Sequence, residues 1–220
     1  MDNDYGKLLS DYVKQFINEF NISKVDLISS HGHTIFHQPN KGITLQIGDG
    51  KTINKNTKID VVSDFRTQDI EYKGEGAPLV PIGDLDLYYM YKYCLNLGGF
   101  SNISIKDKKN IKAFDICPVN TVLNHYSNKL GYPFDKDGFL SNKGRINTNL
   151  LRKLNDMSFY NKLGPKSLGI EFVLSKVIPL IDKYIINPED VLITYIEHIS
   201  DQINKCIIPN SKEKILITGG

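Results

Sequence analysis

No stretch of the sequence approaches the roughly 20 consecutive apolar residues that a membrane-spanning helix needs. Its three cysteines, Cys94, Cys117 and Cys206, are widely spaced, odd in number and in no C-x-x-C pair. That argues against a disulfide framework or a zinc ribbon and for a reducing cytosol. Charge is nearly balanced, with 27 basic and 25 acidic residues in 220, so nothing here is built to neutralise a nucleic-acid backbone. The densest basic patch, Lys106 to Lys112, is interrupted and falls on an expected hairpin tip, where it reads as a solvated loop. The opening Met1-Asp-Asn-Asp-Tyr-Gly6 is too polar for a signal peptide. There is no internal repeat and no linker of disordered composition. The expectation is a cytoplasmic globular protein of one or two domains, with neither membrane nor nucleic acid as a partner.

What the sequence does contain centres on residues 94–120. Two apolar runs meet at Gly98-Gly99, a basic turn follows, and a third run ends in Asp115. The pattern predicts a β-meander with a glycine pair at one sharp bend. Paired glycines let a backbone approach a bulky anion, and a carboxylate at a strand end is where an α/β fold places a catalytic base. The same residues also read as a plain bulge and a helix cap, and on their own they leave both open.

Along the chain, Leu9, Val13, Phe16 and Phe20 give residues 5–20 the stripe of an amphipathic helix. Strands are expected at 25–29, at 43–47 (closed by Gly48-Asp49-Gly50) and at 59–63, the last delivering Asp64-Phe65-Arg66. Residues 71–83 read as an ordered loop, and helices are expected at 84–92, 119–129, 146–155 and 168–185. Asp135-x-Asp137-Gly138 has a faint look of a calcium loop but lacks the spaced acidic ligands and terminal Glu. Asn187-Pro188-Glu189-Asp190 is a strong helix start, followed by the stripe Leu192, Ile196, Ile199, Ile203. A last strand, 214–220, ends in Gly219-Gly220, which suggests that further residues of a larger protein follow.

These residues resemble the anhydro-N-acetylmuramic acid kinase family. The resemblance rests on ordered stretches from about residue 25 onward: Ser30-His31-Gly32-His33-Thr34, Gln46-Ile47-Gly48-Asp49, Val62-Ser63-Asp64-Phe65-Arg66, Gly76-Ala77-Pro78-Leu79-Val80-Pro81, Leu95-Asn96-Leu97-Gly98-Gly99-Phe100-Ser101-Asn102-Ile103, Phe114-Asp115, Asp135-Lys136-Asp137-Gly138, Pro165-Lys166-Ser167 and Leu216-Ile217-Thr218-Gly219-Gly220. The resemblance implies an α/β, actin-like (ribonuclease H-like) two-lobed fold, incompletely represented, with residues 1–93 in the first lobe and 94–220 in the second. It implies ATP-dependent opening and phosphorylation of 1,6-anhydro-N-acetylmuramic acid, giving N-acetylmuramic acid 6-phosphate in peptidoglycan recycling. ATP and Mg²⁺ are the implied cofactors, and a homodimer the implied assembly. Asp115 matches the catalytic aspartate that activates the attacking water. Gly98 and Gly99 match a phosphate-binding turn, and Gly219 and Gly220 the start of the adenosine-side turn. His31, Thr34, Asp64, Arg66 and Asn102 match stretches expected to line the sugar cleft, with Arg66 suited to fork onto the lactyl carboxylate. For Asp64 the structural alternative is a salt bridge to Arg66.

The chain also departs from the family. The family's opening strand and Gly-Thr-Ser-x-Asp-Gly phosphate loop have no counterpart, and its continuation past Gly220 is missing. Asp115-Ile-Cys-Pro-Val-Asn120 replaces the commoner Asp-Thr-Gly-Pro-Gly-Asn, a form that marks one branch of the family, and Lys73-Gly74-Glu75 replaces Gly-Gly-Gln. The expectation is therefore a truncated member without a complete ATP site, inactive or very weak alone. Two other readings compete: a non-catalytic sugar-binding remnant, and a metallohydrolase using His31, His33 and His37, with no clear further ligands.

Overall fold

The computed structural model describes residues 1–38, 41–74, 76, 79–107, 110–161, 166–208 and 212–219, which divide into two compact units, Met1–Leu79 and Val80–Gly220. In the first unit, helix α1 (Asp2–Glu19) places Asp2 and Asp4 in its first turn, against the positive end of its dipole. Its packing side differs from the expected stripe. Gly6 and Ser10 are buried, whereas Phe16 and Phe20 are 55% and 61% exposed and lie against each other. Close approach is the reason: a side chain at Gly6 would press on the Asp49 carbonyl at 3.0 Å and on Thr52 Cβ at 3.2 Å. Those residues open helix α2 (Gly50–Thr57), where the glycines suggest only a turn. Asp49 is the helix cap, its Oδ2 accepting from Thr52 N at 2.7 Å and Thr52 Oγ1 at 2.6 Å.

Strand β1 (Ile28–Ser30) runs parallel to β4 (Val61–Ser63), and β2 (His33–Gln38) pairs antiparallel with β3 (Ile43–Ile47). Both strands of the first pair start later than the expected 25 and 59. Strand β2 has no apolar alternation to announce it. Helix α3 (Thr67–Glu71) follows directly after Arg66.

The second unit opens with α4 (Val80–Leu87), earlier than the expected 84, with Pro81 in the first turn, where its missing N–H is harmless. The carbonyl end of α4 is fastened to the sheet. Buried Lys106 donates from Nζ to Asp84 O at 2.7 Å and to Tyr88 O at 2.6 Å. This tie puts α4 with the residues that follow it, so the contacts divide the chain at Leu79/Val80 where the sequence suggests 93/94.

The expected meander is present as β5 (Tyr93–Leu97), β6 (Phe100–Asp107) and β7 (Asn110–Pro118), and β8 (Ile215–Gly219) lies parallel to β5. The sheet order is β7-β6-β5-β8. One face carries Tyr93, Leu95, Ile103 and Cys117 into a core with helices α5 (Asn120–Lys129) and α6 (Thr148–Asn155). Beyond them, the expected helix 168–185 is broken into α7 (Ile170–Phe172), a π turn (Val173–Val177) and α8 (Ile178–Ile181). Pro179 has no N–H to return to the preceding turn, so the regular ladder cannot continue through it.

Helix α9 (Pro188–Cys206) starts where expected, but its buried side is wider than the apolar stripe. Leu192 and Ile199 are buried, Ile196 and Ile203 only half-buried, and the polar Thr194, His198 and Gln202 go inside. Asn155 Oδ1 accepts from Gln202 Nε2 at 2.7 Å, while Asn155 Nδ2 donates to Asp201 Oδ2 at 2.7 Å. That orientation makes His198 Nδ1, 2.6 Å from the same Asn155 oxygen, the donor. Burial drives the titration of His198 down to about 3, so the ring is neutral. The Asp135 carboxylate is spent on backbone, accepting from Leu140 N at 2.7 Å and Ser141 N at 3.0 Å.

Candidate active site

The register of the second unit's sheet builds a polar row. Asp115 on β7 lies opposite Asn102 on β6, Asn102 opposite Asn96 on β5, and Asn96 opposite Thr218 on β8. Directly opposed residues share a face. Their strand neighbours Leu95 and Ile103 are in the core, so the row points the other way.

A bulge makes this possible. Ser101 pairs with Cys117 while Asn102 pairs with Asp115, so Ile116 is an extra residue in β7. In a regular strand Asp115 and Cys117 would share a face. With the bulge, Cys117 is fully buried in the core, its backbone N–H donating to Ser101 Oγ at 3.2 Å, and Asp115 turns to the polar side.

Asp115 is half-buried. Its N–H donates to Lys166 O at 2.9 Å, and Leu168 N–H donates to its Oδ2 at 2.7 Å. Burial raises the carboxyl's pKa above the usual range, and the Leu168 N–H offsets part of that rise. A carboxylate with raised proton affinity, on an accessible polar face, is equipped to take a proton.

The Gly98-Gly99 turn joins β5 to β6 on the same sheet. A Cβ at Gly98 would meet Asn96 Nδ2 at 3.3 Å, and one at Gly99 would meet Thr121 Oγ1 at 3.1 Å. These glycines therefore supply room, and neither has a left-handed φ. Their carbonyls close the N-terminus of α5: Gly98 O accepts from Asn120 N, and Gly99 O from Val119 N, Thr121 N and Thr121 Oγ1. The plain readings, a bulge at the glycines and a cap at Asp115, fall on other residues. The bulge is at Ile116, and the helix cap is the glycine turn itself. Gly219, opposite Leu97, has φ +98°, and a Cβ there would meet Leu97 O at 2.6 Å. Gly220 lies outside the described residues.

In the first unit, His31 and Arg66 are brought together. Arg66 Nε and Nη2 lie 3.1 and 2.9 Å from His31 Nε2, and Nη1 donates to Gly76 O at 2.7 Å. His31 Nε2 is therefore the acceptor, and its Nδ1–H faces Gly32 O at 3.1 Å. Asp64 makes no salt bridge to Arg66 among the described residues. It instead braces the start of α3, its Oδ1 accepting from Thr67 Oγ1 at 2.6 Å. Thr34 sits opposite Gln46 in the β2–β3 hairpin. A lone pair of His31 directed at a guanidinium is poorly placed for a metal cation. No group of three or more His, Cys, Asp or Glu side chains able to hold a metal occurs among the described residues.

Sequence reasoning missed Asn96, Thr218 and the Leu168 N–H. The first had a partial signal: Asn96 and Asn102 each stand three residues from Gly99, so they pair when the turn is centred on that glycine. The Leu168 contact had none, because it spans 53 residues and is made by backbone.

A family model described as anhydro-N-acetylmuramic acid kinase matches residues 1–220. An anhydro-N-acetylmuramic acid kinase of Pseudomonas syringae pv. syringae (strain B728a) is 37% identical over 232 residues, covering 100% of this chain and 64% of its own length. The protein of that name from Pasteurella multocida (strain Pm70) is 34% identical over 235 residues, covering 100% of this chain and 62% of its own. A third, from Aliivibrio fischeri (strain ATCC 700601 / ES114), is 34% identical, with 100% and 64% covered. The chain thus spans a little under two thirds of the length of these curated relatives.

Proposed function

The chain belongs to the anhydro-N-acetylmuramic acid kinase family, and from that premise we propose that it works in the ATP-dependent opening and 6-phosphorylation of 1,6-anhydro-N-acetylmuramic acid. The observation that carries the proposal is Asp115. A bulge turns it onto the polar face, and burial raises its affinity for a proton. In this reading Asp115 takes a proton from the water that attacks the anomeric carbon. The 1,6-anhydro bond breaks at that carbon, and its oxygen leaves on C6 as the acceptor of the transferred phosphoryl group. Water thus adds at C1, phosphate ends on O6, and ADP departs.

ATP supplies the phosphoryl group, with Mg²⁺ neutralising charge on the triphosphate. The fit is supported by the bare backbone at Gly98, Gly99 and Gly219, where a Cβ would crowd Asn96 Nδ2, Thr121 Oγ1 and the Leu97 carbonyl respectively. A Mg²⁺ carried on phosphates and water needs no dedicated protein cage. Because the first N–H groups of α5 are closed by the turn's carbonyls, the turn's own N–H groups and the Asn96 amide are the donors left for a phosphate there. On the sugar side, Arg66 spends one edge on His31. A second N–H on Nη2 and on Nη1 remains to grip a carboxylate, the job proposed for it with the lactyl group. His31, Thr34 and Asp64 of the first unit are proposed as sugar contacts, with Asp64 acting through the start of α3, and Asn102 of the second unit is proposed as a further one.

Calorimetric titration with the anhydro sugar tests the cleft, and phosphorus NMR detection of the 6-phosphate tests the chemistry. The expected results are sugar binding weakened at least about tenfold by Arg66→Ala, and the very weak turnover expected of this chain abolished by Asp115→Asn with sugar binding retained. Turnover unchanged in Asp115→Asn would overturn the assignment.

A further inference from the structure

We infer that the segment Lys166–Leu168 is a backbone clasp that positions the Asp115 carboxylate, holding Oδ2 and leaving Oδ1 as the oxygen that receives the proton. The inference rests on Asp115 being the base proposed above. It starts from the position of β7 at the outer edge of the sheet. An edge strand presents backbone groups that no strand pairs. At Asp115 that outward N–H is taken by Lys166 O at 2.9 Å, and two residues later the Leu168 N–H returns to Asp115 Oδ2 at 2.7 Å.

One residue is thus held through its main chain and its side chain by a single short segment. Either bond alone would let the carboxylate swing about its side-chain torsions. Together they close a ring that fixes the carboxylate plane. Protonation at Oδ2 would compete with the bond that oxygen already accepts, whereas Oδ1 accepts no bond from the described residues. The clasp therefore makes a two-oxygen base directional.

The segment is itself anchored at both ends by one aromatic shelf. At its entry, Lys166 Nζ donates to Phe159 O at 3.3 Å and stands 4.5 Å from the centre of the Phe159 ring. At its exit, Phe172 lies 5.2 Å from Phe159 and 6.5 Å from Tyr160 between ring centres. Phe159 thereby sets the segment's position from both sides. Lys166 and Leu168 are positioning residues. Their action on Asp115 has two measurable signatures: a protected Leu168 amide and an Asp115 titration that depends on it.

Carboxyl and amide NMR on the 220-residue chain reads both. In the wild type, the Leu168 amide should exchange at least about a hundredfold more slowly than an open loop amide. Leu168→Pro removes that N–H, and Asp115 should then titrate about one pH unit higher. Phe159→Ala should speed Leu168 exchange about tenfold while β5 and β6 amides keep their rates. A Leu168 amide exchanging at loop rates in the wild type overturns the clasp. So does an Asp115 titration identical in wild type and a folded Leu168→Pro. If Leu168→Pro does not fold, the wild-type exchange rate and Phe159→Ala decide. Neither readout uses sugar or nucleotide, so failure of the clasp leaves the turnover result standing, and failure of the kinase reading leaves the exchange rates untouched.

Discussion

His198 should make the second unit lose stability well above the pH at which carboxylates begin to protonate. It is fully buried, donates its Nδ1–H to Asn155 at 2.6 Å, and has no partner at Nε2 among the described residues. Burial, with a smaller contribution from Lys205, lowers its titration from 6.5 to about 3. A histidine with a depressed folded pKa contributes stability that is whole above its unfolded pKa and is lost as pH falls. Well below 6.5 each unit costs about 1.4 kcal/mol, and going from pH 6.5, where the unfolded ring is half protonated, to 4.5 removes about 2.3 kcal/mol, a large part of a typical stability of about 5–15 kcal/mol. Asp115 acts with the opposite sign: its raised pKa makes protonation favour the folded state, near the carboxylate range. Because other carboxylates also titrate there, the informative quantity is the difference between wild type and His198→Gln. The chain has 12 tyrosines and no tryptophan, so urea unfolding followed by tyrosine fluorescence and circular dichroism at pH 6.5, 5.5 and 4.5 is practical. The wild type should lose about 2.3 kcal/mol more than the variant across that range. Parallel pH profiles would refute the argument that this buried ring must stay neutral.

Gly219→Ala should cost about 2–4 kcal/mol, because it combines a left-handed φ with a Cβ driven into the Leu97 carbonyl. Hydrogen exchange should quicken along β8 while β6 and β7 keep their protection. Lys106→Met should cost about 2–3 kcal/mol by removing two charge-assisted bonds to the carbonyl end of α4. Thermal unfolding measures the loss, and faster amide exchange in α4 locates it.

The meander and the start of α9 were legible because each is written in adjacent residues. Runs around Gly98-Gly99 alternate, and Asn187-Pro188-Glu189-Asp190 caps and begins a helix at once. Asp115 was legible as a candidate by its place at the end of a run, although β7 continues past it to Pro118 so that it lies inside the strand, and Arg66 by its place after a strand. The face on which Asp115 projects was not legible. That depends on one extra residue, Ile116, which looks like any other apolar member of β7. Helix α2 was hidden behind two glycines, and its cap Asp49 works precisely at the point that reads as a turn. The α1 stripe misled because Phe16 and Phe20 satisfy helical spacing while the side that packs is the one where Gly6 allows close approach and Ser10 is buried. The partners of His31 and Asp64 depended on side-chain direction, which spacing does not carry.

The parallel pairing of β5 with β8 also sets an order of assembly. The hairpins β5–β6 and β6–β7 close turns of a few residues, whereas Thr218 reaches Leu95 across 123 positions of chain. Ordering so long an intervening segment is entropically unfavourable until its helices have condensed on the core, so distant strand pairings form late. The polar row then grows from one side: Asp115, Asn102 and Asn96 are aligned as soon as the local hairpins form, and Thr218 with Gly219 arrives last. Pulsed hydrogen exchange during refolding should accordingly protect β6 before β8. The strand that carries Asp115 is in place before the glycine strand at the far edge, and the row matures with folding from Asp115 toward Gly219.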